Sequence, residues 1–309
     1  MSKRSAAIDD WIKKHLKKEP PRSKSLIVTI FGDLIVPLSN ELWLSDLIEL
    51  LEPFGFNERL VRTSTSRLME DDWLKSEREG RRSRYSVTDS GLQRFEHAYR
   101  RIYAAPPREW DSNWTMVILP KTGNGPPERS ELRRELEWEG FGLLAPGIFI
   151  HPAANVSVVG EILDRLELTQ RSIVATAQDF PGLLGLSMKV LVPQCWNLTT
   201  IAELYREFLT RFEPLAKILE GGANLTPEQA FIVQTLLIHM FRRVTLHDPR
   251  LPAPMLPENW PGYLAYDLCQ RLYQLTYRTA LSHIAPSISM QATKLVPPPE
   301  LLNRFGGLK

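Results

Sequence analysis

Two groups of arginines stand close together between positions 57 and 87. In the first, Arg59, Arg62 and Arg67 alternate with Thr63 and Ser66 at intervals that place them on one side of a helix, Arg67 at its edge. Guanidinium and hydroxyl groups on one helix face can bond base edges and phosphates in a major groove. In the second, Arg81, Arg82 and Arg84 follow Gly80, where a hairpin tip would carry long cations along a phosphate backbone. Each group alone is ordinary, since an arginine-bearing helix is usually a solvated face and an arginine-rich hairpin is often a soluble edge. Their immediate succession, behind two further helical segments, points to duplex DNA.

The elements that must position these residues are legible in the same stretch. Asn57 is a suitable N-cap and Glu58 suits a first helical turn. Leu60, Val61, Ser64 and Leu68 share the opposite side and should pack on a small core. The helix gives way near Asp71-Asp72, and 73–78 and 83–87 read as strands around a Gly80-Arg81-Arg82 tip. Upstream, 23–31 reads as a helix stopped near Gly32, and 42–51 as a second with Leu44, Leu47, Ile48 and Leu51 as its stripe. Pro53 to Phe56 form the turn between helices, with the phenylalanines under the third helix. Thr88 or Asp89 caps another helix running to 103. Residues 8–18 form a short basic amphipathic helix, which suits a membrane or DNA surface but more simply packs on its neighbour with its lysines solvated.

Beyond the Ala104 to Pro107 linker the pattern changes. Strand, helix, hairpin around Pro146, helix and strand follow between 114 and 177, the βαββαβ order of a ferredoxin-like unit. Such sheets often pair across a two-fold axis. The last block is helical. Thr199 caps one helix, and Thr226-Pro227-Glu228-Gln229 combines a capping box with proline at the first helical position. The expected fold class is therefore α+β multidomain: an N-terminal winged helix-turn-helix with its following helix over 1–107, a ferredoxin-like domain over 108–192 and a C-terminal α-helical domain over 193–309.

Composition excludes several classes. The chain has 309 residues, 43% hydrophobic and 24% charged, which is the balance of a globular protein with a substantial core. The net charge of +2 says little about nucleic acid, and the local clusters say more. Two cysteines, Cys195 and Cys269, rule out a disulfide framework and any all-cysteine metal site, and fit a reducing cytoplasm. The first residues lack the apolar run of a signal peptide, and no stretch approaches bilayer-spanning length, so no membrane is expected.

No catalytic constellation is found: there is no G-x-S-x-G elbow and no H-E-x-x-H. Gly123-Asn124-Gly125 lacks a following Lys-Ser or Lys-Thr and reads as a turn rather than a phosphate cradle. His239 and His247 lie eight apart with no evident third ligand, so no metal is expected.

Several separated stretches resemble one family. Phe31-Gly32-Asp33, Pro53-Phe54-Gly55, Val61-Arg62-Thr63-Ser64, Trp73-Leu74, Gly80-Arg81-Arg82-Ser83, Trp138-Glu139-Gly140-Phe141-Gly142, Leu144-Ala145-Pro146, Leu225-Thr226-Pro227-Glu228 and Arg304-Phe305-Gly306-Gly307-Leu308 together are similar to the PaaX family, repressors of bacterial phenylacetic acid catabolism operons. The resemblance covers nearly the whole chain. It implies a homodimer on a partly palindromic double-stranded operator, released by an acyl-coenzyme A effector, phenylacetyl-coenzyme A, with no resident cofactor. Such an effector needs cations for its phosphates and apolar walls for its ring, for which His239, Arg242, Arg243 and Trp260 are the candidates. Arg242 and Arg243 equally suit ties between helices, and Trp260 a packing anchor. The central block also resembles a small CRISPR-associated nuclease module. Its first strand runs into Pro120-Lys121, where that module carries an acidic metal ligand, so no nuclease activity is expected. An enzyme acting on coenzyme A thioesters and a winged-helix scaffold without DNA function remain the alternatives.

Overall fold

Helix α1 (Lys3–Lys18) buries Ile8 and Ile12 and leaves Lys13, Lys14, Lys17 and Lys18 exposed. It is thus a packed helix with solvated lysines. Trp11 Nε1 donates to the Arg211 carbonyl at 3.0 Å, and Pro20 and Pro21 follow the helix. The computed structural model describes residues 3–120, 125–178, 188–288 and 297–308; Lys121 and the Gly123-Asn124 pair lie outside them.

Helix α2 (Ser23–Ile30) does not stop at Gly32 as its sequence suggests. It widens into a π turn, Phe31–Ile35, and continues through α3 (Val36–Leu38). Gly32 serves close approach, not termination, because a Cβ there would stand 2.7 Å from the Phe95 ring. The widened turn carries Asp33 into the core. Next comes β1 (Glu41–Trp43), a strand where the sequence suggested the start of a helix, then α4 (Leu44–Leu51). Helix α5 (Glu58–Glu70), strands β2 (Leu74–Glu79) and β3 (Arg82–Val87), and α6 (Asp89–Tyr103) follow. The three strands form an antiparallel sheet in the order β1-β3-β2.

Strand β4 (Asn113–Ile118), helix α7 (Pro126–Trp138), strands β5 (Gly142–Ala145) and β6 (Ile148–His151), helix α8 (Val156–Arg165) and strand β7 (Ile173–Gln178) make up the central block. Its sheet order, β5-β6-β4-β7, is antiparallel throughout and is the order a ferredoxin-like βαββαβ unit produces. The hairpin turns at Pro146-Gly147. Gly147 has φ +83, and a Cβ there would lie 2.6 Å from the Leu119 carbonyl oxygen. Val117, Leu132, Leu136, Phe149, Val159 and Leu163 form the centre of its core.

The rest is helical: α9 (Met188–Cys195), α10 (Leu198–Glu220), α11 (Pro227–Thr245), α12 (Pro261–Ile284) and α13 (Pro299–Leu302). Asn197, not Thr199, caps α10, its Oδ1 accepting from the Thr200 amide at 3.3 Å. The capping box of α11 forms in both directions: Thr226 Oγ1 accepts from the Gln229 amide at 3.2 Å, and Gln229 Oε1 from the Thr226 amide at 3.0 Å.

Packing groups these segments differently from chain order. One compact unit gathers Met1–Ala105, Arg206–Thr245 and Leu264–Lys309; the other gathers Pro106–Tyr205 and Leu246–Tyr263. Residues expected to form separate first and third domains, 1–107 and 193–309, thus largely share one core. Helix α11 explains why. It is buried on nearly every side, and its polar Gln234 and His239 meet Asp33 and Thr29 of the N-terminal run.

Candidate nucleic-acid interface

Helix α5 starts where Asn57 Oδ1 accepts from the Leu60 amide at 2.9 Å. Its inner side buries Val61, Ser64, Thr65 and Leu68, and Ser64 Oγ meets Ser23 Oγ of α2 at 2.6 Å. Leu60, expected in the core, is 41% exposed, because the buried stripe centres on Val61 and Leu68 and leaves Leu60 at its margin. The outer side carries Arg59, Arg62, Thr63, Ser66 and Arg67, all exposed.

These five are not equally available. Arg62 is held by Glu58 one turn back, with Nη2 2.6 Å and Nε 2.8 Å from Oε1. Thr63 Oγ1 donates to the Arg59 carbonyl at 2.9 Å, and Ser66 Oγ lies 3.4 Å from Glu70 Oε1. The guanidinium groups of Arg59 and Arg67 form no hydrogen bond or ion pair with any described residue.

The hairpin turns on two residues, Gly80 and Arg81, with Gly80 at φ +61 as the first loop position of a tight hairpin requires. Arg81 is exposed and likewise has no described partner. Arg82, expected at the tip, is the first residue of β3. Its guanidinium stacks 4.2 Å from the centroid of Trp43. Arg84 departs from expectation: Glu41 at 3.1 Å and Glu77 at 3.8 Å close around it, so it is a tie across the sheet rather than a free cation. Lys24 pairs with Asp71 just beyond α5, and Arg94 Nη1 donates to the Asp71 carbonyl at 3.0 Å. Cations from the two pieces are therefore open in Arg59, Arg67 and Arg81, partly engaged in Arg62 and Arg82, and enclosed in Arg84.

Sequence reasoning missed Trp43. It lies in a stretch read as helix, although the exposed-buried alternation of Glu41 and Leu42 before it is a strand signature.

Three of the candidate effector residues lie on α11, and the fourth, Trp260, lies outside it. His239 is buried, its Nδ1 3.0 Å from Thr29 Oγ1. Burial, and after it the Arg242 charge, lower its pKa to about 3. Arg242 Nη1 reaches the same hydroxyl at 3.0 Å and the Ser25 carbonyl at 3.4 Å, and burial lowers its pKa to about 10. Thr29 Oγ1 in turn donates to the Ser25 carbonyl at 3.0 Å, so it can accept from both His239 and Arg242. Arg243 bonds Glu19 at 2.5 Å. These are ties of α11 to α2 and to the end of α1. Trp260 belongs to the other compact unit, where it packs edge-on against Tyr205, ring centroids 6.0 Å apart. His247 lies past the end of α11, and its ring meets Trp138. Among the described residues no group of three or more histidine, cysteine, aspartate or glutamate side chains could hold a metal ion. No described helix is long and apolar enough to cross a membrane.

Three family profiles match consecutive parts of the chain: "PaaX-like protein" over residues 22–91, "PaaX protein central Cas2-like domain" over 107–184 and "PaaX-like protein C-terminal domain" over 196–286. The chain is 36% identical over 303 residues to the "Transcriptional repressor PaaX" of Escherichia coli (strain K12), covering 97% of this chain and 95% of that protein. It also resembles in fold the uncharacterized protein Rv0674 from Mycobacterium tuberculosis, with a TM-score of 0.51, 22% identity and coverage of 85% of this chain and 100% of the other. The class these matches define is a transcriptional regulator, not an enzyme. The chain belongs to the PaaX family.

Proposed function

We propose that this chain is a DNA-binding repressor of phenylacetate degradation genes. In this reading residues 23–87 form a winged helix-turn-helix, with α5 in the major groove and the β2–β3 hairpin as its wing. Arg59, Arg62, Thr63, Ser66 and Arg67 face base edges and nearby phosphates, while Arg81 and Arg82 hold the flanking backbone. The observation that carries the reading is the pair of open cationic surfaces, the outer face of α5 and the β2–β3 turn at Arg81, in immediate succession along the chain. The repressor named among the relatives supports it, since similarity runs through this segment.

The protein acts as a homodimer on two half-sites about one helical turn, or a multiple of it, apart. Phenylacetyl-coenzyme A releases it by binding preferentially to a dimer geometry that does not match the operator. Gel retardation on the protein's own promoter, with and without a panel of acyl-coenzyme A esters, tests both parts. If a half-site uses roughly six phosphates, raising salt from about 50 to 200 mM weakens binding on the order of a thousandfold. A titration flat with salt contradicts the DNA assignment. Retention of the complex at saturating phenylacetyl-coenzyme A contradicts the effector.

A further inference from the structure

We infer that Trp43 is a positioning residue of the nucleic-acid interface: its indole holds the Arg82 guanidinium in place for a backbone phosphate. The inference rests on the DNA-binding reading above and deepens it by adding a residue from outside the helix and hairpin.

Trp43 is the last residue of β1 and pairs directly with Arg84 of β3. Arg82, two residues earlier, is therefore its diagonal neighbour on the same face of the sheet. The Arg82 guanidinium carbon lies 4.2 Å from the indole centroid, whereas that of Arg84 lies at 5.5 Å. Polar contacts hold Arg82 only loosely. Its Nη2 is 3.4 Å from Ser45 Oγ and 3.9 Å from Asp46 Oδ1, and its side chain remains 58% exposed. Arg84 is in the opposite state, taken up by Glu41 and Glu77. The indole thus fixes one arginine whose donors still open to solvent.

That combination suits phosphate binding. A guanidinium lying on a ring keeps the N–H donors at its edge free. An unsupported arginine must surrender its rotamer freedom when it binds, whereas a stacked one has already done so. Glu79 faces Arg82 across the hairpin, but among the described residues only Asp46 comes within ion-pair distance, and at 3.9 Å it orients the cation without enclosing it.

The experiment is an operator titration with the full-length protein, comparing Trp43→Leu, Trp43→Phe, Arg82→Lys and the double variant Trp43→Leu/Arg82→Lys. Lysine keeps the charge and loses the planar stack. Trp43→Leu is expected to weaken binding about 2- to 5-fold, the range an exposed cation–π contact carries. It should do so equally on operator and unrelated DNA, because a phosphate contact carries no sequence information. Trp43→Phe should restore part of the loss, and Arg82→Lys should add nothing once Trp43 is leucine. Losses that add in full in the double variant, or a Trp43→Leu protein that binds as tightly as the unaltered one, overturn the inference. If Trp43→Leu melts early, Arg82→Lys beside Trp43→Phe decides: no loss in either overturns it. An unaltered protein that shows no salt-dependent DNA binding instead overturns the reading beneath it, and this inference with it.

Discussion

Asp33 and Arg304 form an ion pair across 271 positions of sequence, Nη1 to Oδ1 2.8 Å, with side chains 1% and 0% exposed. Other groups engage most of the pair's polar atoms, although the buried Arg304 Nε has no hydrogen-bond partner among the described residues. Arg304 Nη1 also donates to the Asp33 carbonyl at 2.8 Å and lies 2.5 Å from the Tyr273 hydroxyl. Asp33 accepts from Tyr103 at 2.6 Å, Tyr273 at 3.0 Å and Gln234 at 2.8 Å. The Arg304 guanidinium stacks 4.2 Å from the Tyr103 ring. Residues from the π turn, α6, α11, α12 and the C-terminal Arg304-Phe305-Gly306 turn thus meet at one carboxylate. Removing one partner strands the other charge inside. Asp33→Asn or Arg304→Met should each destabilise by about 3–5 kcal/mol, seen as a lower urea midpoint. The double variant should be more stable than the sum of the singles predicts. Simple additivity there would mean that the two charges are not coupled.

Acid should weaken the fold through two histidines. Burial, with Arg242 second, holds His239 at about 3, and burial, with Arg211 second, holds His15 at about 4, whereas an unfolded histidine titrates near 6.5. Both are neutral in the fold, so between these values the unfolded chain binds more protons. Their contribution is complete above about pH 6.5 and is lost as pH falls toward 4, by up to about 1.4 kcal/mol per pH unit for each histidine. Denaturant titrations between about pH 7.5 and 4.5 check this. His239→Leu should flatten the slope by close to one proton, and an unchanged slope would exclude His239 as a source.

Glu58 and Arg62 form an exposed pair one helical turn apart, worth only a few tenths of a kcal/mol to the helix. Its larger effect should fall on DNA, where Arg62 must leave the carboxylate and Glu58 must approach phosphates. Glu58→Gln should tighten binding to all sequences severalfold. Arg62→Ala should relax base preference, at a cost of about 1–3 kcal/mol if the guanidinium is bidentate to guanine. Arg81→Ala should weaken operator and random duplexes alike and reduce the salt slope by about one. Equal selectivity of Arg62→Ala and unaltered protein in a competition assay would remove Arg62 from the groove.

Gly91→Ala should destabilise, although alanine in a helix usually gains up to about 1 kcal/mol over glycine. Gly91 sits in the first turn of α6, its amide donating to Thr88 Oγ1 at 2.9 Å. A Cβ there would stand 2.5 Å from the Trp73 carbonyl oxygen and 2.7 Å from Val87 Cγ1. The base of the hairpin would have to move, at a cost of about 1–3 kcal/mol. A thermal midpoint at or above that of the unaltered protein would show that the hairpin shifts freely.

What the chain announces in advance is local. Asn57 and Thr88 cap their helices, Thr226 and Gln229 close their box, Gly80 and Gly147 make their turns, and α5 presents its arginines outward, because caps, turns and helical periodicity depend on residues a few positions apart. The strand order of the central sheet follows from the same kind of signal, as its βαββαβ sequence admits few arrangements. Tertiary structure decided the rest. It gave Gly32 to a wide helical turn under Phe95, placed Trp43 beneath Arg82, and enclosed Arg84 between two glutamates. It set His239 and Arg242 against Thr29 and Arg243 against Glu19, and brought Arg304 to Asp33. Each of these depends on which distant segment arrives as neighbour. A charged side chain carries the same local signature whether it ends in solvent, against a phosphate or beside a buried carboxylate.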